Sequence, residues 1–95
     1  SGKTMQSNLS EAAIYFDALV NNNVGTPVAD KAEDVRNKLN SALAELGKNP
    51  PDNAAAKGNI AGAQADLQAM IDAGLIGSSE GSNLMNVLQT IAAQY

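Results

Sequence analysis

Apolar residues recur every three or four positions in four stretches of this chain, which is the spacing of one face of an α-helix. The clearest stretch carries Val28, Ala32, Val35, Leu39, Ala42 and Leu46. The other stretches carry Leu9, Ala13, Phe16 and Val20, then Ala56, Ile60, Ala63 and Leu67, and finally Leu84, Leu88, Ile91 and Tyr95. The pattern predicts an all-α protein.

Clusters of Gly, Pro, Asn and Ser separate the stretches, at residues 21–27, 47–52 and 74–81. Pro cannot continue a helix, and Gly and Asn accept positive φ, so each cluster is typical of a turn. The predicted helices span about residues 8–21, 27–46, 53–73 and 82–94. Because short loops favour antiparallel neighbours, we expect a small up-and-down bundle of four helices. Residues 8–95 would form this single helical domain, after a flexible N-terminal segment, residues 1–7.

The start of the second helix is the best marked. Thr26 is a suitable N-cap and Pro27 has the φ of a first helical residue. The other expected caps are Asn8, which has capping-box spacing to Glu11, then Asp52 or Asn53, and Ser79 or Ser82.

Composition removes most kinds of catalytic chemistry. The 95 residues include no Cys, His or Trp, which excludes a thiol nucleophile, an imidazole base and the usual zinc sites. We therefore expect a protein that is not an enzyme and that binds no cofactor or metal ion. The net charge of −4 opposes binding to nucleic acid. No apolar run approaches the roughly 18 residues that a membrane span requires.

Two local patterns resemble binding sites, and each has a simpler explanation. Ser1 to Thr4 spell the end of a phosphate-binding loop, but a functional loop also needs a preceding strand and glycine, which these residues do not include. Asp30, Glu33 and Asp34 are acidic residues near the start of the second helix, where they interact favourably with the helix dipole. Asp34 is also spaced to pair with Lys38 one turn later.

Charged residues are unevenly distributed along the chain. Beyond position 52 they are Lys57, Asp66, Asp72 and Glu80. The outer faces of the last two helices are thus small or uncharged, which suits a surface covered by another protein. A low-charge surface on a monomer is the equally simple alternative.

The first helix carries apolar residues outside its main stripe. At 100° per residue, Ile14 lies opposite Leu9, Phe16 and Val20, and Tyr15 lies at the edge of the stripe. A bundle built on the main stripe leaves Ile14 in water. Ile14 and Tyr15 are therefore candidate partner contacts, with a single exposed aliphatic side chain as the alternative.

The hairpin between the second and third helices resembles that of type III secretion needle subunits. The resemblance covers Leu43 to Asn53, with its Pro and Asn turn, and a tail containing Val87-Leu88-Gln89, Ile91 and Tyr95. It implies an extracellular bacterial subunit that polymerises helically into a conduit. It also implies that Ile91 and Tyr95 contribute to the polymer contact, so these two residues complete the set of candidate partner contacts.

A second resemblance covers more of the chain. Phe16 to Val20, Lys38-Leu39, Ala42-Leu43 and Leu67 to Ile71, followed by a Gly and Ser break and a short helix, are similar to FIMAH-type modules. These are four-helix accessory domains of secreted bacterial proteins. The resemblance implies a non-catalytic module, and both families imply a location outside the bacterial cell or on its surface.

Together these observations predict a non-enzymatic, secreted or surface-exposed bacterial protein that acts through protein–protein contacts. Self-assembly into a secretion apparatus and an accessory role in a larger secreted protein are both open. A carrier of a small apolar ligand is the alternative from another class, although few convergent polar groups are present to orient such a ligand.

Overall fold

The computed structural model describes the backbone of residues 2–95 and the side chains from residue 6 onward. The helices are α1 (Gly2–Asn22), α2 (Pro27–Leu46), α3 (Asn53–Asp72) and α4 (Ser78–Ala92). Each helix packs against the next one along the chain, and α4 also touches α1. The predicted all-α bundle of four helices is confirmed, with overall dimensions of 38 × 23 × 19 Å.

The first helix begins earlier than predicted. Residues 2–7, which the sequence analysis assigned to a flexible segment, belong to α1. No Pro interrupts this region, and the Gln6 side-chain amide donates a hydrogen bond to the carbonyl of Leu46 at the end of α2, at 3.5 Å. The start at residue 8 was therefore wrong. Asn8 and Glu11 lie inside the helix, so they form no capping box at its start.

The last helix also begins earlier, at Ser78 rather than residue 82. Its N-cap is Gly77, which makes no side-chain capping bond, so neither Ser79 nor Ser82 has the predicted role. The amide of Gly81 donates to the carbonyl of Gly77 at 2.8 Å, which places Gly81 inside the helix. Gly81 is buried, and a Cβ atom at this position would lie 2.5 Å from Cγ1 of Ile71. This glycine permits close packing of α4 rather than ending a turn.

The other predicted caps agree with the structure. Thr26 Oγ1 accepts a hydrogen bond from the amide of Ala29 at 3.4 Å, and Pro27 is the first residue of α2. Asp52 rather than Asn53 caps α3, because its carboxylate accepts from the amide of Ala55 at 2.9 Å. Each bond satisfies one of the amide groups that a helix start leaves without an intrahelical partner.

The core runs the length of the bundle and is purely apolar among the described residues. Its largest fully buried side chains are Phe16, Leu9, Leu39, Ile60, Leu67, Met70, Leu88, Ile91 and Val35. Most of these residues belong to the predicted helical stripes. Helix α2 occupies the middle of the arrangement, because it packs extensively against both α1 and α3.

Ion pairs join neighbouring helices at the edges of the core. Arg36 of α2 lies 2.9 Å from Asp17 of α1, and Lys38 of α2 pairs with Asp66 of α3. The predicted pair between Asp34 and Lys38 is not formed, because Lys38 extends across to the other helix. All these side chains are partly exposed, so each pair contributes at most about 1 kcal/mol.

A glycine explains the path of the Lys38 side chain. Gly62 lies on the face of α3 over which the lysine runs, and a Cβ atom there would come within 2.9 Å of Lys38 Cδ. Gly58, one turn earlier on α3, faces open space within 4 Å. The two helical glycines therefore differ in purpose, since only Gly62 makes room for a neighbour.

Replacing Gly58 with alanine is expected to stabilise the protein by about 0.5–1 kcal/mol, because Ala costs less entropy in a helix interior. Urea denaturation followed by circular dichroism measures the change. Gly62→Ala is the matched control on the same helix, and its gain should be smaller because Lys38 must shift. A Gly58→Ala protein that is no more stable than the wild type would contradict the open surroundings of this glycine.

Candidate functional site

The seam between α1 and α4 is the least closed of the bundle. The two helices make less contact with each other than the other neighbouring pairs do. A groove of about 490 Å³ lies along this seam, open to solvent on one side. We call it the α1–α4 groove, and it is lined by Asn8, Glu11, Ala12, Tyr15, Leu84, Asn86, Val87, Thr90 and Ile91.

Helix α1 contributes one wall of the groove through residues spaced three or four apart. Ala12 and Tyr15 supply its apolar surface, while Asn8 and Glu11 lie toward the other end. The Tyr15 ring meets the buried Phe16 ring edge to face, with centroids 5.4 Å apart and an interplanar angle of 81°. This contact with a core residue holds the half-buried Tyr15 ring in place at the groove.

Helix α4 contributes the other wall and the floor. Leu84, Val87 and Ile91 have helical spacing, so they lie along one side of α4. Ile91 is only 1% exposed and belongs to the core, Leu84 is half-buried, and Val87 is 42% exposed. The α4 wall thus rises from the core to a partly exposed valine.

The structure separates the predicted partner contacts into different places. Tyr15 and Ile91 both line the α1–α4 groove. Ile14 is 65% exposed, as its position opposite the stripe predicted, but it lies at a separate depression between α1 and α2. Tyr95 is half-buried against the core and does not line the groove. No single surface on one molecule therefore contains all four residues.

The burial of Ile91 bears on the role that the needle resemblance implies for it. A residue that is 1% exposed offers no side-chain area to a polymer contact unless the bundle opens. Its role in this structure is to pack the core and to form the floor of the groove.

Tyr95 carries a polar group in an apolar setting. Its hydroxyl is buried and has no hydrogen-bond partner among the described residues. Burial raises the pKa of Tyr95 above its ordinary value of 10.0. The neutral hydroxyl is therefore favoured in the folded protein, although it gains no bond there.

Tyr95→Phe is expected to be neutral or stabilising by up to about 1 kcal/mol at pH 7, because it removes an unpaired buried hydroxyl. Below pH 10 the tyrosine is protonated in both the folded and the unfolded chain. Above that pH the unfolded chain loses its proton first, so wild-type stability falls and the advantage of the Phe variant grows. Urea denaturation at pH 7 and at alkaline pH measures both effects. A variant less stable than the wild type at both values would indicate that the hydroxyl has a partner.

Sequence reasoning missed Val87 and Leu84 as members of a site. The stripe of Leu84, Leu88 and Ile91 predicts a buried face, and Val87 enters the sequence analysis only as part of a tail. Val87 was the available signal, since it lies beside this stripe and widens the apolar face of α4. An apolar face wider than the part covered by the core leaves its edge exposed to a neighbour.

The acidic side chains outside the groove are dispersed. Within the described residues, no three Asp or Glu side chains come together as a metal-binding group. Asp30, Glu33 and Asp34 are all exposed on α2. None of the described helices has the length and apolar character needed to cross a membrane.

Comparison with known proteins does not indicate a function for this chain, so the fold and its surface are the basis for a proposal. No family model, curated protein or solved structure matches the chain. The geometry defines a four-helix bundle with an apolar groove at one seam.

Proposed function

We propose that this protein is a non-enzymatic protein-binding domain and that the α1–α4 groove is its binding surface. The observation that carries the proposal is the open seam. The interfaces of α2 with α1 and α3 are extensive, whereas α1 and α4 make the least contact of the neighbouring pairs and leave apolar side chains at the surface. Val87 is one of only three large hydrophobic residues that are exposed among those described, and the only one in the groove.

The dimensions of the groove support a helical partner. The α1 wall runs from Asn8 to Tyr15, which is two helical turns or about 10 Å. A helix laid along it would touch the groove with about two of its own turns. Helix-in-groove binding of this kind uses apolar residues at positions i, i+3, i+4 and i+7 of the partner.

A small apolar ligand fits the geometry less well. Binding sites for small molecules bury most of the ligand surface, and this groove is open along one side. Its uncharged polar lining residues are Asn8, Asn86 and Thr90, and Glu11 is its one charged lining residue. The groove therefore has only one charged group that could fix the orientation of a small ligand. Self-assembly and a location outside a bacterial cell rest on family resemblance and stay predictions.

A library of helical peptides tests the proposal. Apolar residues would be fixed at the four contact positions and all others varied, and clones that bind the folded domain would be selected. Val87→Lys is expected to weaken the selected peptides at least tenfold, because it places a charge in the apolar contact. Isothermal titration calorimetry measures the affinity, and the unfolding curve of each variant shows that it remains folded.

Val24 provides a matched control. It is also an exposed valine, at 78%, but lies in the loop between α1 and α2. Val24→Lys should leave the peptide affinity unchanged. Ile14→Lys tests the remaining exposed hydrophobic residue. If the peptides bind Ile14→Lys more weakly than the wild type but bind Val87→Lys equally well, the groove is not the binding surface. A library that yields no binder would refute the proposal itself.

A further inference from the structure

We infer that the partner of the α1–α4 groove is a basic amphipathic helix supplied by a different protein chain. The inference rests on the proposed function and adds the chemistry of the partner to it. Two observations carry it: the charges around the groove, and the apolar surface that a second copy of this chain would have to offer.

The groove contains one charged side chain, and it is acidic. Glu11 is exposed on the α1 wall. Helix α4 contributes no charged side chain to the groove. Its one charged residue, Glu80, does not line the groove, and the chain carries no Asp, Glu, Lys or Arg after it. Asp17, the next acidic residue of α1, is directed toward α2, where it lies 2.9 Å from Arg36. The groove is therefore apolar with a single negative group, and the whole chain carries a net charge of −4.

The basic residues that the structure describes lie elsewhere. Arg36, Lys38 and Lys48 form ion pairs with Asp17, Asp66 and Glu45. Lys31 and Lys57 belong to α2 and α3, the helices that do not line the groove. Nothing among the lining residues neutralises Glu11. A partner with a Lys or Arg beside its apolar stripe would complement Glu11, and the negative net charge would attract it from a distance.

A second copy of this chain is a poor occupant. Its exposed large hydrophobic residues, among those described, are Ile14, Val24 and Val87, which lie on three different parts of the surface. None of the three begins an exposed apolar stripe with the spacing that fills a helical groove. The copy's own groove is a further apolar surface, but pairing groove with groove would bring two Glu11 side chains to one interface without a basic group from the lining residues.

The same peptide library also tests the partner's charge. Clones that bind the Val87→Lys variant more weakly than the wild type occupy the groove. In these clones, the positions flanking the apolar stripe should contain Lys and Arg more often than Asp and Glu. Glu11→Lys should weaken these peptides about three- to tenfold, because it replaces an attraction at the rim with a repulsion. Glu11→Gln should have a smaller effect, and added salt should reduce the difference in affinity between the wild type and the Glu11→Gln variant.

The outcomes separate the two proposals. Groove-binding clones with neutral or acidic flanks, unaffected by Glu11→Lys, would overturn the basic partner and leave the binding function intact. Light scattering at millimolar protein concentration tests for a second copy. The inference would be overturned if the wild type and Val24→Lys formed dimers and Val87→Lys did not. A library without groove-binding clones would overturn both.

Discussion

Phe16→Ala is expected to lower the free energy of unfolding by about 3–5 kcal/mol, the range found when a fully buried aromatic residue is truncated. The Phe16 side chain is completely buried in the core and its ring also meets Tyr15 edge to face. Truncation therefore removes the buried ring, leaves a cavity and frees the Tyr15 ring. Small domains have a total stability of about 5–15 kcal/mol, so this single change removes a large share of it.

Urea denaturation followed by circular dichroism measures this loss. Ile14→Ala is the control, because Ile14 lies two residues away on α1 and is 65% exposed. Its effect should stay within about 0.5 kcal/mol, as is usual for surface positions. Equal losses at the two positions would mean that Ile14 is buried in solution, and a loss below about 1 kcal/mol for Phe16→Ala would contradict the assigned core.

Gly81→Ala is expected to cost about 1–3 kcal/mol, although alanine normally favours a helix over glycine. The added Cβ would lie 2.5 Å from Cγ1 and 2.8 Å from Cδ1 of Ile71. Ile71 would have to rotate or α4 would have to move away from α3. The sign of the effect is thus opposite to that expected for Gly58→Ala, where no atom lies within 4 Å.

A double-mutant cycle with Ile71→Ala isolates the steric cause. Ile71→Ala removes both atoms that lie too close to the new Cβ and leaves Cγ2 of Ile76 at 3.4 Å, so Gly81→Ala should become neutral or slightly stabilising in that background. The coupling energy between the two changes should then be about 1–3 kcal/mol. If Gly81→Ala costs the same in both backgrounds, the contact with Ile71 is not the reason for the glycine.

The same glycine shows which parts of the fold were predictable. Helix α2 matches its predicted bounds because Thr26 and Pro27 mark its start locally, and α3 begins as predicted because Asp52 caps it. The sequence predicts Gly81 in a turn, because the sequence alone does not distinguish a glycine that permits close packing from one that ends a helix. Only the position of Ile71 in space distinguishes the two.

The candidate site was less predictable than the fold. Tyr15 was found because it lies at the edge of an apolar stripe, which is a property of one helix. The groove depends on how far α4 stands from α1 along the seam, and no spacing within either helix encodes that distance. Lys38 illustrates the same limit, because its local partner would be Asp34 whereas its actual partner, Asp66, is on another helix.

The uneven packing of the helices links binding to local stability. Helix α2 is held on both sides, whereas α4 is held mainly by α3. We therefore expect α4 to detach from the bundle at a lower free energy than α2. A partner seated in the α1–α4 groove would bind only the attached form, so the rate at which α4 amides exchange with solvent would fall as partner concentration rises.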